Sequence, residues 1–265
     1  IADIWLPLPP MKRPDVRERV LTIVLDLLTD HGVDDVELII ATAFHRRMRD
    51  WEVRHMVGDR IFDKYWPDKL YNHDAEAPDG LLELGVTDEG EVVEIDRRAA
   101  ESDLIIYVNL NYVPMDGGHK SVSTGLAGYR SLAAHHNPRT MRNCHSYMDP
   151  EKSELNTRVV RQGRLLNSKK RVFMIETTIN NRMFDRPLEF LAKNEDDYTP
   201  AERAASRALK LTLEKTPQEL RQFVFDRVPS PYGVTGVFAG ETEAAHAHTL
   251  KRCYDQYLVP VTGQA

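Results

Sequence analysis

Asp103-Leu104-Ile105-Ile106-Tyr107-Val108, followed by Gly117-Gly118-His119-Lys120-Ser121, is the stretch that decides the fold. Its first part is a short apolar run rich in β-branched residues, which reads as a buried strand. Its second part is a glycine turn beside a cation, and it leads to a helix expected over 125–134. Working outward, the same alternation recurs. Apolar residues Val16, Val20, Ile23, Val24, Leu27 and Leu28 repeat at spacings of three and four between Pro14 and Gly32, which predicts an amphipathic helix over 14–31. A strand follows over 36–42, then a polar loop around His45 and a helix over 50–57. Further strands are expected over 91–95, 171–179 and 233–238, and a closing helix over 241–257.

Strands alternating with helices predict an α/β fold: a mostly parallel sheet flanked by helices, Rossmann-like, with ligands in the loops beyond the carboxyl ends of the strands. His45 and Lys120 both fall just beyond such an end. The chain reads as one unit over 1–265 with a charged helical hairpin inserted at about 181–230, where Thr199-Pro200-Ala201-Glu202 and Thr216-Pro217-Gln218-Glu219 both match the capping box. That insert suits a lid, an oligomer contact or simple decoration. Ile1-Ala2-Asp3-Ile4 lacks an initiator Met and reads as strand interior, and Val259–Ala265 ends without a cap, which suggests a trimmed or partly ordered chain.

The 265 residues carry 35 Lys plus Arg against 41 Asp plus Glu, a formal net charge of −6, and are 42% hydrophobic. That balance allows a sizeable core and disfavours a protein devoted to nucleic-acid phosphates. No apolar run is long enough for a bilayer crossing. Two cysteines, Cys144 and Cys253, without a signal-peptide pattern, fit a reducing cytosol, so the expected location is cytoplasmic.

Several residues are chemically suggestive. The Gly117-Gly118 turn before Lys120 is either a cradle for an anion or a tight turn beside a solvated lysine. It is not a Walker A loop, because position 114 is Pro114, and the chain has no Gly-x-Gly-x-x-Gly fingerprint. Histidines gather in expected loops: His45, His73, His119, His135, His136 and His145. Neutral imidazole is both a common metal ligand and the usual base near neutral pH. Asp74 would orient His73 or a sugar hydroxyl, or form only a local Asx-turn. Arg13, at the opening of the first helix, would share an anionic ligand with the exposed N–H groups or remain a surface cation.

The order of these motifs resembles the N-terminal domain of the lactate racemase family, the enzymes that use a nickel-pincer nucleotide. Lys12-Arg13-Pro14, Ala41-Thr42-Ala43-Phe44-His45-Arg46, Asn72-His73-Asp74, Leu84-Gly85-Val86-Thr87, Gly117-Gly118-His119-Lys120 and Phe238-Ala239-Gly240-Glu241 through Ala245-His246 carry the likeness, in the family's order. The resemblance implies that Lys120 is joined to the cofactor's pyridinium ring through a thioamide and that His136 is the nickel ligand. It implies that Arg13, Gly117, Gly118 and Asp74 hold cofactor or substrate groups. His45 would take the proton of a 2-hydroxyl while hydride passes to the ring. A small 2-hydroxy acid and cofactor-maturation enzymes are the implied partners, with no nucleic acid or membrane, and an oligomer is compatible.

There are departures from the family pattern. The second base histidine expected before the lysine is missing, and Val108-Asn109-Leu110-Asn111-Tyr112 stands there instead. Pro10 replaces the aspartate of the first motif, and Thr124 replaces a proline after the lysine. The family's second domain is expected to be absent after Ala265. The leading expectation is a nickel-pincer-dependent 2-hydroxy-acid racemase or epimerase. The alternatives are a cofactor-free nucleotide- or anion-binding module on the same fold, and an assembly protein acting through the 181–230 insert.

Overall fold

A computed structural model describes residues 1–3, 10–146, 149–180 and 182–257, so Ile4, Asn181 and the Val259–Ala265 tail lie outside the described residues. The elements, in chain order, are α1 (Val16–Asp30), β1 (Leu38–Ile40), α2 (Asp50–Val57), α3 (Asp59–Tyr65), β2 (Leu70–Asn72), β3 (Leu81–Val86), β4 (Val92–Asp96) and α4 (Arg97–Glu101). Then come β5 (Ile105–Asn111), α5 (His119–Gly125), α6 (Tyr129–His135), α7 (Pro138–Arg142), α8 (Glu154–Lys169) and β6 (Val172–Ile179). The chain closes with α9 (Pro200–Lys215), α10 (Gln218–Phe225), β7 (Val234–Gly240) and α11 (Thr242–Tyr257).

The fold is mixed α/β, but the expected single parallel sheet is replaced by three small ones. β1 pairs with β2 in parallel, β3 with β4 antiparallel, and β5–β6–β7 form a mixed sheet in which β5 and β6 are parallel and β6 and β7 antiparallel. The physical reason is the shortness of the joint between the parallel pairs. Ile1–Asp3 lies between β1 and β5 and supplies one parallel bridge, Ala2 to Ala41, together with Ala2 N–H to the Val108 carbonyl at 2.8 Å and Ala41 N–H to the Ile1 carbonyl at 2.8 Å.

The β5–β6 pair is buried on both faces, which is why its sequence reads as an unbroken apolar run. Val108 and Ile175 join a core built from α1, α2, α3, β1 and β2. Tyr107 and Met174 face the other way, with Val122, Leu166 and Ala245. Strand alternation therefore lines Tyr107, Asn109 and Asn111 along the face covered by α5, α8 and α11, and Asn109 is the register partner of Glu176.

Helix α1 forms where its spacing predicts, with Asp15 as N-cap accepting from the Arg17 N–H. Arg17 is itself buried: its guanidinium bonds both Asp15 carboxylate oxygens and the carbonyls of Ala2 and Asp3. The helix expected over 125–134 is a correction. The glycine turn runs directly into α5 at His119, and a break over 126–128 separates α5 from α6. Helix α8 was not anticipated, although Ser153 caps it and Leu155, Val159 and Leu166 are buried along it. It packs on α5 where Gly163 leaves room for His119; a Cβ there would lie 2.4 Å from the His119 Cβ.

Between β6 and β7 the two expected helices are present. Thr199 and Glu202 form the first capping box, but α10 is capped by Pro217 with no side-chain hydrogen bond, so the second box is not made. The chain beyond α10 returns to the body through Ser230, whose N–H donates to the Pro10 carbonyl at 2.6 Å. Arg227 lies over the rings of Trp51 and Phe223, at 5.4 and 4.0 Å from their centroids. Among the described residues no helix is long and apolar enough to cross a membrane.

Candidate active site

The loop after β1 carries His45, and the turn after β5 carries Lys120. His45 is half-buried, and its Nδ1 lies 2.6 Å from Oδ2 of Asp3, on the segment between β1 and β5. That hydrogen bond holds the imidazole above its ordinary value, against burial and the nearby Lys120 cation. Lys120 sits on the second residue of α5, 23% exposed, with its Nζ 3.5 Å from Oδ1 of Asp116.

His136 caps the C-terminus of α6. Desolvation, then the Lys120 and His45 cations, hold it below the ordinary imidazole value. His45 and His136 thus both lie within electrostatic range of Lys120, and His136 within that of His45. His136 Nδ1 lies 2.8 Å from Nδ1 of His135. Burial pushes His135 down to about 3, so it adds no charge near neutral pH.

The glycine turn is built around a buried carboxylate. Gly117 and Gly118 have φ of +92° and +58°, and a Cβ on Gly117 would come 2.3 Å from Asn111 Nδ2. On Gly118 it would come 2.7 Å from the His246 ring. The Gly118 N–H donates to Oε1 of Glu176 at 2.6 Å, so that amide is committed within the protein. Asn111, where the second base histidine was expected, is fully buried. It accepts from Asn109 Nδ2 at 3.1 Å and donates to the Asp116 carbonyl at 2.9 Å, which makes it a strut of the turn. Asp116 closes the same turn by accepting the N–H groups of Tyr112 and Val113.

The remaining singled-out residues are engaged elsewhere. Arg13 is exposed and pairs with Asp59 at 3.1 Å. Asp74 pairs with Arg47 and accepts the Glu76 N–H at 3.1 Å, an Asx-turn. His73 is buried between Asp96 at 3.2 Å and the Ala127 carbonyl at 3.0 Å. Sequence reasoning did not single out Asp3 or Glu176. Nothing local marks either one, since their partners lie far away in the chain.

The model of the lactate racemase N-terminal domain matches residues 8–149, more than half of the chain and the segment that holds His45, Lys120 and His136. The chain belongs to the lactate racemase N-terminal domain family. Among curated relatives, it is 25% identical over 129 residues to the lactate racemase of Thermoanaerobacterium thermosaccharolyticum, covering 47% of this chain and 30% of that one. It is 27% identical over 105 residues to the lactate racemase of Lactiplantibacillus plantarum, covering 38% of this chain and 24% of that one. The matches therefore span less than a third of those relatives. The structure of the lactate racemase apoprotein from T. thermosaccharolyticum superposes with a TM-score of 0.61 at 17% identity, over 94% of this chain and 46% of that one. A crystal structure of a Thermotoga maritima protein gives 0.59 at 14% identity, over 92% and 52%. The chain shares their fold, and its Glu176 and His246 lie outside the segment matched by the family model.

Proposed function

We propose that this chain is the cofactor-bearing part of a nickel-pincer-dependent racemase or epimerase acting on a 2-hydroxy acid. The reading is supported by His45 and Lys120, which belong to two separate motifs of the family far apart in sequence, and by His136, since both histidines lie within electrostatic range of the Lys120 charge. The residues present fit the cofactor. Lys120 has one long contact, to Asp116, which leaves its amine available for a thioamide link. His136 uses Nδ1 toward His135, and its Nε2 has no partner among the described residues. Among those residues no three His, Cys, Asp or Glu side chains converge on one point. His136 would therefore be the one protein ligand, with the other nickel donors supplied by the organic group, and imidazole suits nickel.

When bound, that group supplies reversible acceptance of a hydride. The chain's own part is proton handling and orientation. Asp3 fixes the His45 ring through Nδ1, and the ring takes the proton of the substrate's 2-hydroxyl. Asp116 orients Lys120, and the Glu176-bound turn sets where α5 begins.

The test is intact mass spectrometry with metal analysis of the chain co-produced with the cofactor-maturation enzymes. The expected result is a covalent increment mapping to Lys120 with one nickel per chain. Lys120→Ala loses the increment, and His136→Ala keeps it but loses nickel. An unmodified, metal-free chain, under conditions that load a lactate racemase, would refute the reading.

A further inference from the structure

A racemase that deprotonates either enantiomer of a 2-hydroxy acid needs a proton acceptor on each face of the substrate, and Asn111 is buried and serves the turn. The structure holds a second imidazole built on the same plan as His45. His246, on α11, has Nδ1 3.1 Å from Oε2 of Glu176, as His45 has Nδ1 2.6 Å from Oδ2 of Asp3. Glu176 is fully buried and receives three donors: His246 Nδ1, the Gly118 N–H at 2.6 Å and Asn111 Nδ2 at 3.5 Å. A carboxylate so placed only accepts, so the His246 proton sits on Nδ1 and Nε2 carries the lone pair in the neutral ring. That Nε2 has no partner among the described residues, and the side chain is 24% exposed.

Position favours the same conclusion. The His246 ring lies against Gly118, in the turn that delivers Lys120; a Cβ on Gly118 would be 3.1 Å from its Nε2. In the order β1, Ile1–Asp3, β5, β6, β7, His45 comes from the β1 side. His246 comes from α11, which packs on β6 and β7. His45 thus belongs to the β1 side of this order and His246 to the β6–β7 side, where its ring lies against the turn that opens α5.

We infer that His246, oriented by Glu176, is the second proton acceptor of the reaction. This rests on the racemase reading above. In the step assigned to it, the substrate O–H bond breaks and an Nε2–H bond forms. The oxygen pair would become the carbonyl π bond as the α-hydrogen leaves as hydride, for which the cofactor, when bound, would be the acceptor. The product is a 2-oxo acid, and the reverse steps return both hydrogens.

The experiment uses the full, cofactor-loaded chain and single-turnover formation of 2-oxo acid from each enantiomer of the 2-hydroxy acid that wild type turns over from a panel of lactate, glycerate, malate and mandelate. His246→Asn is expected to slow one enantiomer by about 10²–10⁴-fold and leave the other within about threefold, the ordinary scale of general-base loss. His45→Asn is expected to give the mirror image. Equal losses for both enantiomers in His246→Asn, or no loss, would overturn the inference. No turnover of any panel acid by the loaded wild type would instead remove the racemase reading and this inference with it. A second readout needs neither turnover nor a variant that folds: long-range proton–nitrogen NMR on the cofactor-free chain at neutral pH. It should find the His246 proton on Nδ1 and Nε2 bare, and a proton on Nε2 alone would overturn the assignment.

Discussion

Gly118→Ala isolates the construction of the turn that delivers Lys120. Gly118 caps α5 at φ 58° and ψ −148°, a region essentially restricted to glycine, and strain of this kind costs another residue about 1–3 kcal/mol. The new Cβ would lie 2.7 and 2.8 Å from two carbons of the His246 ring, inside any ordinary carbon–carbon contact. The ring has little freedom to retreat, because Glu176 holds its Nδ1 at 3.1 Å. Overpacking of this type adds about 1–3 kcal/mol. The expected loss is therefore about 2–6 kcal/mol, read by urea denaturation from the midpoint at unchanged slope. A double-mutant cycle with His246→Ala separates the two causes. Removing the ring should return the steric part, a coupling of about 1–3 kcal/mol, and leave the backbone part in place. A loss below about 1 kcal/mol, or a coupling near zero, would refute the claim that glycine is required here by both backbone and ring.

Two further outcomes are expected. Asp3 raises the His45 value above its ordinary 6.5, and base catalysis needs the neutral ring, so activity should appear as pH rises through a value above 6.5. Asp3→Asn should move that acid limb to lower pH, and an unmoved limb would exclude the pair from the chemistry. The sign for stability is opposite: pairing with Asp3 stabilises the fold below the unfolded imidazole value, and the contribution is lost as pH rises through the folded one. Arg17→Met should cost about 3–5 kcal/mol in chemical denaturation, because it leaves the buried Asp15 carboxylate without its cation. A loss under about 1 kcal/mol would show that Asp15 finds other partners.

Much of the local structure was legible in the sequence. The 3.6-residue spacing of α1, the apolar runs of β5 and β6, and the Thr199 capping box each depend on residues a few positions apart, and each element forms where its pattern predicts. The turn before Lys120 was legible too, since two adjacent glycines mark backbone that other residues avoid. Helix α8 was missed because its apolar positions are few and its buried face is shared with Gln162 and Gly163. The single parallel sheet was overestimated because strand patterns do not record how many residues two strands share.

The sequence by itself determined elements such as α1, β5, β6 and α9 and, through the order of its motifs, the family to which the chain belongs. Tertiary structure alone decided which carboxylate orients which histidine. Asp3 meets His45 across 42 positions, and Glu176 meets His246 across 70. It also decided that Asn111 is a buried strut rather than a group facing substrate. The reason is physical: periodicity and capping are set by neighbours along the chain, whereas a hydrogen bond between distant side chains depends on which strands and helices the whole core brings side by side.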